Sequence, residues 1–189
     1  WSDDDMPGLQ LMVEAVQKHG ALAGCELTHQ GALAGNRMSR ERPMSASPRP
    51  AMDVPAVVRQ MDKQDIVDVR RWHRAAARRA RDIGFDIVYV YAGHDLTLGM
   101  HFLSRRYNRR SDEYGGSLTN RLRLTQELLE DTREAVGDVC GVAFRLAVDE
   151  LIGSEGICSD TEGREIVEML AELPDLWDVN ISDWSNDSS

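Results

Sequence analysis

The sequence predicts an α/β fold, and within that class part of a (β/α)8 barrel. Apolar segments typical of helices and of buried strands alternate along the chain, and long polar loops follow the predicted strands. Strands buried on both faces are typical of parallel sheets, whose strands need crossover connections. A typical barrel takes ~250 residues. At 189 residues the chain is expected to hold about half a barrel and to be a piece of a larger protein.

The first half of the chain predicts two helices and one strand. Asp3–Asp5 supply N-cap chemistry for a first helix that ends at Gly20, and the apolar run 21–27 follows as a strand. Residues 30–61 contain four of the six prolines and are predicted to form a long irregular loop. The second helix is predicted over 62–84. Its apolar stripe consists of Ile66, Val69, Trp72, Ala76, Ala80 and Ile83.

The second half continues the alternation. Residues 85–92 are almost continuously apolar, β-branched or aromatic, which predicts a strand buried on both faces. A polar loop is predicted over 93–117, a third helix after it, and a buried strand over 140–148. A helix over 160–173 then leads to the last strand, 176–181.

Four predicted strands with helices between them call for right-handed parallel crossovers. Both an open doubly wound sheet and a barrel satisfy that pattern. No G-x-G-x-x-G sequence follows a predicted strand, which disfavours a dinucleotide-binding sheet. The long loops follow the carboxyl ends of strands, where barrel enzymes keep their chemistry, so the barrel is favoured.

Composition excludes several function classes. A net charge of -10 disfavours a nucleic-acid-binding protein, which needs a basic surface. No apolar run approaches the ~20 residues that span a bilayer. Cys25, Cys140 and Cys158 are too dispersed for a disulfide framework or a metal knuckle. We therefore expect a cytoplasmic enzyme without a metal site and without nucleic-acid or membrane partners.

Polar side chains follow each predicted strand, and a parallel barrel would bring them to one mouth. In strand order they are Glu26, Thr28 and His29; Tyr91, His94 and Asp95; Arg145 and Asp149; and Asn180, Asp183, Trp184 and Asp187.

Arg145 is a cation inside the apolar segment 142–148. It needs an anionic or electron-rich partner, because an unpaired buried charge is costly. One interpretation is a salt bridge to Glu26 or another acid of the barrel. The other is a cation beside the electron-rich edge of a reduced cofactor, whose redox potential it would raise.

Tyr91 and His94 are close enough in sequence for both side chains to reach one pocket. With a carboxylate they could form a hydrogen-bonded Tyr–His–Asp group that controls protonation near neutral pH. Three other interpretations stay open. The Tyr91 hydroxyl could lie in water, His29 could be satisfied by the backbone, or His29, His94 and an aspartate could hold a metal, although their spacing matches no closed zinc motif.

Residues 111–121, Ser-Asp-Glu-Tyr-Gly-Gly-Ser-Leu-Thr-Asn-Arg, resemble the signature loop of the old yellow enzyme family. The likeness runs through nearly all of the chain. Segments 85–91 and 177–181 are more similar to trimethylamine and dimethylamine dehydrogenases than to alkene reductases. The resemblance implies that residues 1–189 are the central part of an FMN-binding TIM-barrel domain, about strands three to six, with the remaining strands and any C-terminal domains outside them.

Three positions distinguish the branches of the family on this resemblance. Glu26 matches the residue that holds the flavin pyrimidine edge, usually a glutamine in the alkene reductases. Tyr91 and His94 match a His–His or His–Asn pair of those reductases. Leu96 lies where the reductases have a proton-donating tyrosine. Because leucine cannot protonate an alkene carbon, the amine branch is favoured.

The amine branch supplies expectations for the substrate pocket. Trp184 matches one wall of an aromatic bowl that holds a methylated ammonium by cation–π attraction. Asp187 matches the acid of the Tyr–His–Asp group. Leu96 and Thr28 stand where the amine branch has aromatic residues, so the pocket shape, and with it the substrate, stays open.

The resemblance implies FMN-dependent oxidative N-demethylation of a small methylated amine. Tyr91, His94 and Asp187 would tune deprotonation of the substrate. Arg145 would stabilise reduced flavin, and Glu26 would hold the ring. An iron–sulfur cluster with ligands outside this chain, an electron-transfer flavoprotein partner and a homo-oligomer are also implied. Two alternatives stay open: an NAD(P)H-dependent alkene or 2,4-dienoyl-CoA reductase, and a catalytically inactive barrel fragment. The isolated chain is expected to be catalytically inactive.

Overall fold

The structure is a computed structural model that describes residues 2–36, 38–51 and 55–184. Helices and strands alternate along it as the sequence predicts. In chain order they are α1 (Met6–Gln17), β1 (Gly24–Leu27), β2 (Met44–Ser45), β3 (Arg59–Gln60), α2 (Lys63–Ile83), β4 (Ile87–Ala92), α3 (Leu98–Leu103), α4 (Leu118–Val136), β5 (Gly141–Asp149), α5 (Arg164–Leu170) and β6 (Leu176–Ile181).

The main sheet is parallel and has four strands in the order β1-β4-β5-β6. In a doubly wound sheet the strand order reverses at a switch point. Here it follows the chain without reversal. One face packs against α2 and α4, where Val88, Val142 and Phe144 are fully buried. These features are those of a barrel segment, so the predicted fold class is confirmed and the doubly wound alternative is wrong.

Local signals explain where α2 begins and ends. The Asp62 carboxylate accepts a hydrogen bond from the Asp65 amide at 2.9 Å, and the Asp65 carboxylate accepts one from the Asp62 amide at 2.8 Å. Gly84 ends the helix with a φ of 103°. The predicted stripe is buried at most positions, but Trp72 is 49% exposed. Its ring stacks on His29 instead, with ring centroids 6.5 Å apart.

Three predicted loops and ends differ from the structure. The loop predicted over 93–117 contains helix α3, whose N-cap hydroxyl, on Thr97, accepts a hydrogen bond from the Met100 amide at 3.2 Å. Its six residues are too few to show helical periodicity between polar flanks. The loop predicted over 30–61 contains the small parallel pair β2–β3. The helix predicted over 160–173 begins as a wide π-type turn, and α5 is shorter than predicted.

The three cysteines are free. Within the described ranges no helix combines the length and the apolar character that a bilayer crossing requires. In the same ranges no three His, Cys, Asp or Glu side chains are grouped so that they could hold a metal ion.

Candidate functional site

The strand register places the polar strand residues on one face of the sheet. Tyr91 is in register with Arg145, and Arg145 with Asp178. Residues in register on neighbouring parallel strands point to the same side. Glu26 is in register with Tyr89, two residues before Tyr91, and so shares that side. We call the sheet face opposite α2 and α4 the lumen face; its polar residues include Glu26, Tyr89, Tyr91, Arg145, Asp178 and Asn180.

Arg145 is the centre of the charge pattern on the lumen face. Its Nη1 donates to Glu26 Oε2 at 3.1 Å, its Nε lies 3.5 Å from Asp178 Oδ2, and its guanidinium lies 5.0 Å from the centroid of the Tyr91 ring. The hydrogen bond to Glu26 raises the pKa of Arg145. The predicted salt bridge to Glu26 is confirmed. The side chain stays 36% exposed, which leaves an edge for a further partner.

Tyr91 and His94 form the second feature of the site. The Tyr91 hydroxyl donates a hydrogen bond to His94 Nδ1, and Tyr91 is only 7% exposed. Burial raises the pKa of Tyr91 to about 12, so the phenol keeps its proton at neutral pH. Burial, and then the charge of Arg145, lower the pKa of His94, so the imidazole is neutral and can accept. The alternative in which the Tyr91 hydroxyl lies in water is wrong.

The backbone around His94 is unusual. His94 and Asp95 both have left-handed φ values, 59° and 58°, which cost free energy in residues with a Cβ and often occur at functional sites. His94 pairs with Asp183 in a parallel bridge, and the Trp184 amide donates to the His94 carbonyl at 3.3 Å. The chain leaving β6 therefore fixes His94 from the side.

Trp184 lies beside the site. Its ring centroid is 5.7 Å from that of His94, and its side chain is 69% exposed. Asp187, the acid expected in the Tyr–His–Asp group, lies outside the described residues. Four of the six predicted site residues, Glu26, Tyr91, His94 and Arg145, converge on one end of the lumen face, with Trp184 at its edge.

Close packing of Gly93 completes this end of the sheet. A Cβ on Gly93 would lie 2.8 Å from the Tyr91 ring and 3.1 Å from Asn180 Oδ1, so only glycine fits. Both polar atoms of the Asn180 amide are buried and lack a hydrogen-bond partner within the described residues.

Sequence analysis did not single out Asp178 as a partner of Arg145. The period-two spacing of 176, 178 and 180 in the last strand was the signal that could have found it.

His29 does not join this group. Its Nδ1 accepts a hydrogen bond from the Gly31 amide at 2.9 Å, which confirms the backbone-satisfied interpretation. Burial, and then His101, lower the pKa of His29. With Thr28, Trp72 and part of the lumen face it lines a cavity of about 540 Å³ along β1.

The signature loop holds the scaffold around the site. Arg121 is buried and donates to the carbonyls of Gly116 (3.2 Å) and Leu103, and to the Glu162 carboxylate. Arg110, also buried, donates to the carbonyls of Ala46 and Met61, at 3.2 and 2.7 Å. The loop therefore ties the long segment after β1 to α3 and to the turn after β5.

The chain resembles known flavin enzymes along its whole length. The profile of the NADH:flavin oxidoreductase / NADH oxidase family matches residues 1–187. A dimethylamine dehydrogenase from Hyphomicrobium sp. (strain x) is 38% identical over 100% of this chain. Two solved structures match 97% of it: histamine dehydrogenase from Rhizobium sp. 4-9 (45% identity, TM-score 0.91) and 6-hydroxypseudooxynicotine amine oxidase from Pseudomonas geniculata N1 (48%, 0.93).

The chain covers only part of these proteins. It spans 27% of the dimethylamine dehydrogenase, 27% of the histamine dehydrogenase and 28% of the amine oxidase. NADPH dehydrogenases are also among its relatives, at lower identity or over a shorter stretch of this chain.

Proposed function

Because the chain belongs to the NADH:flavin oxidoreductase / NADH oxidase family, we propose that it forms the central barrel segment of an FMN-dependent enzyme that oxidatively demethylates a small methylated amine. The observation that carries the proposal is the convergence of two pairs, Glu26 with Arg145 and Tyr91 with His94, at one end of the lumen face. The higher identity to the amine-oxidising structures supports the same choice.

The lumen face fits a flavin. Arg145 presents a partly exposed cation, whose Nε lies 3.5 Å from Asp178 Oδ2, and the exposed part of the guanidinium is open to a ligand. Glu26, itself 34% exposed, holds the guanidinium and offers a carboxylate edge to ring N–H groups. When bound here, FMN supplies the acceptor for the electrons of the amine C–H bond. Arg145 would then supply a positive charge that stabilises the negative charge of the reduced flavin.

Tyr91 and His94 suit deprotonation of a substrate that is mostly cationic at neutral pH. Oxidation needs the nitrogen lone pair, so the ammonium has to lose a proton. The neutral His94 ring can accept the hydroxyl proton of Tyr91 at Nδ1, while the Tyr91 oxygen accepts the proton of the ammonium. The substrate then loses one proton and His94 gains one. Burial and the charge of Arg145 lower the pKa of His94, so the imidazole is unprotonated before the substrate binds, although they also make it a weaker base.

The surroundings suit a cationic substrate. Trp184 exposes its ring beside His94, and a ring face attracts an ammonium group. Asp187 is proposed as the acid that completes the Tyr–His–Asp group. An iron–sulfur cluster, an electron-transfer flavoprotein partner, homo-oligomers and a cytoplasmic location stay predictions about the whole protein.

An NAD(P)H-dependent alkene or dienoyl-CoA reductase is the second candidate, because NADPH dehydrogenases are among the relatives. Leu96 argues against it. On the family resemblance Leu96 stands where those reductases have their proton-donating tyrosine, and an alkyl side chain has no proton to give.

The test compares two activities of the full-length protein. We expect flavin absorbance, anaerobic reduction of a dye by dimethylamine or trimethylamine, and no NADPH-dependent turnover of 2-cyclohexenone. Enone turnover without amine oxidation would establish the reductase instead. Absence of flavin absorbance and of both activities would identify an inactive barrel.

A tyrosine pair supplies a matched control. Tyr91→Phe should lower kcat/KM for the amine by on the order of a hundredfold, because the proton then has no acceptor. Tyr114→Phe removes a hydroxyl that donates to Glu127 from a residue equally well buried (8% against 7% exposed). It should leave amine turnover unchanged. Equal losses in both variants would show that Tyr91 acts only through stability.

A further inference from the structure

We propose that Tyr107 and Asp183 are positioning residues for His94, holding its ring against Tyr91 from behind the strand ends. The inference rests on the proposed function only in taking His94 as part of the reactive site. Neither residue belongs to the predicted Tyr–His–Asp group. Both are buried, Tyr107 at 8% and Asp183 at 1% exposure, so they act through His94 and not by touching substrate.

The first step concerns the His94 backbone. Two successive left-handed residues, His94 and Asp95, do not hold that conformation by themselves, since isolated L-residues disfavour it. The surrounding structure has to impose it. On one side, the bridge to Asp183 and the hydrogen bond from the Trp184 amide fasten the His94 peptide to the chain leaving β6.

The second step concerns what fastens Asp183. The Tyr107 hydroxyl donates to Asp183 Oδ2. Tyr107 lies in the segment after α3, far from β6 in sequence, so this bond joins the connections that follow β4 and β6.

The third step shows that the same ring also supports the other neighbour of His94. The Arg49 guanidinium lies 4.5 Å from the Tyr107 ring centroid, and the His101 ring packs edge-on against it at 5.9 Å. Arg49 pairs with Asp95 (Nη1 to Oδ1, 2.9 Å), and His101 Nε2 lies 3.0 Å from the same carboxylate oxygen. Asp95 follows His94 in the chain, and Asp183 pairs with His94 in the backbone bridge. Tyr107 contacts Asp183 directly and supports Asp95 through Arg49 and His101.

The test is Tyr107→Phe in the full-length holoenzyme, with Tyr114→Phe as the matched control. Both changes remove one hydroxyl from a tyrosine that is 8% exposed and bonded to a carboxylate. The first readout is the titration of His94 without substrate, followed by NMR of histidines labelled with 13C at Cε1. The chain has five histidines, and His94→Gln assigns the resonance.

We expect Tyr107→Phe to raise the pKa of His94 toward that of a solvated imidazole, because a released ring gains water. The charged groups that face His94 are Arg145, Glu26 and Asp183, and the substitution leaves all three in place. Amine kcat/KM should fall on the order of tenfold, with its acidic limb moved to higher pH and flavin content unchanged. Tyr114→Phe should change none of these.

Asp183→Asn is the second variant. It removes a negative charge that raises the pKa of His94 but keeps an oxygen that accepts from Tyr107, so the His94 pKa should fall, opposite to its rise in Tyr107→Phe. An unchanged His94 titration in Tyr107→Phe overturns the positioning role even if activity falls, as does a rise of the His94 pKa in Asp183→Asn. A moved titration in an enzyme that oxidises no amine overturns the proposed function and leaves the positioning role standing.

Discussion

Arg121 and Arg145 each bind a glutamate, yet they differ in almost every other respect. Arg121 is 1% exposed and donates to two backbone carbonyls besides Glu162. Burial lowers the pKa of Arg121, whereas the bond to Glu26 raises that of Arg145. Arg145 keeps about a third of its side chain exposed, although its Nε lies 3.5 Å from Asp178. Nearly all of the surface of Arg121 is taken by contacts within the fold, whereas Arg145 has exposed surface that a ligand can contact.

The two arginines indicate that the structural and the functional residues of this chain lie in different regions. The segment most easily recognised in the sequence, the signature loop with Arg121, holds connections together. The residues with unsatisfied chemistry are single positions on separate strands, which no short motif marks. Substitutions should therefore affect stability in the first region and activity in the second.

The largest expected effect is on folding. Arg121→Met leaves Glu162, a carboxylate only 8% exposed, paired with the largely exposed Arg105, and leaves the carbonyls of Gly116 and Leu103 without the Arg121 donor. We expect a loss of about 3–5 kcal/mol in the free energy of unfolding, measured by urea denaturation. Arg164→Met is the control, because Arg164 is 74% exposed in its pair with Glu168 and its loss should leave the free energy of unfolding nearly unchanged. Equal costs would erase the distinction between the two regions.

Arg145→Met should show the reverse pattern. Loss of the cation should lower amine kcat/KM by on the order of 10²–10³-fold, with a lower flavin redox potential. Unfolding free energy should change by less than about 1 kcal/mol, because the partners Glu26 and Asp178 are partly exposed and can be solvated. A large loss in the free energy of unfolding, with an unchanged flavin redox potential in the folded enzyme, would show that Arg145 serves the fold as Arg121 does.

Glu150 is a buried acid that forms no ion pair with an arginine within the described residues, in contrast to Glu162 and Glu26. It is 1% exposed, and its Oε2 accepts from the Ile157 amide at 2.7 Å. Burial raises its pKa from 4.5 to about 7. The folded state then binds more protons than the unfolded state between these values, so stability falls as pH rises through that window, by about 3 kcal/mol in all. Glu150→Gln should remove this slope in urea denaturation between pH 5 and pH 8. An unchanged slope would show that Glu150 is ionised in the native state throughout.

The smallest effect is expected for Glu26→Gln. The amide keeps an oxygen for Arg145 but loses the charge, and the pair is partly exposed, so unfolding free energy should change by less than about 1 kcal/mol. Binding of FMN, followed by fluorescence quenching, should weaken by a few fold. A large loss of stability would show that the carboxylate serves the fold and not the cofactor.

Sequence analysis predicted the four strands of the main sheet and most helices correctly, because caps and periodicity are local, but it missed β2 and β3. It also missed α3, whose six residues are shorter than two full turns, and it assigned Trp72 to a buried stripe that the stack with His29 interrupts. Within the site it predicted that Glu26, Tyr91, His94 and Arg145 meet, and the structure confirms that. Their roles toward a flavin and an amine stay predictions.

The parts that sequence analysis did not find are those that depend on register and on loops. Asp178 reaches Arg145 only because β6 pairs with β5 in one register. Tyr107 reaches Asp183 only because the segment after α3 folds back over the end of β6. The position of Asp178 follows the period-two spacing of its strand, but that spacing does not give the register that brings it to Arg145. The contact between Tyr107 and Asp183 leaves no mark in residue spacing.

The sequence alone determined the order of strands and helices, the α/β class and the polar residues that follow each strand, because these depend on interactions between near neighbours in the chain. Only the tertiary structure decided which of those residues touch. Glu26 and Arg145 are 119 positions apart and meet because parallel pairing gives every strand one direction and one facing side. The same pairing leaves Arg145 partly exposed on the lumen face, whereas Arg121, in the first turn of α4, is buried by its contacts with Gly116, Leu103 and Glu162.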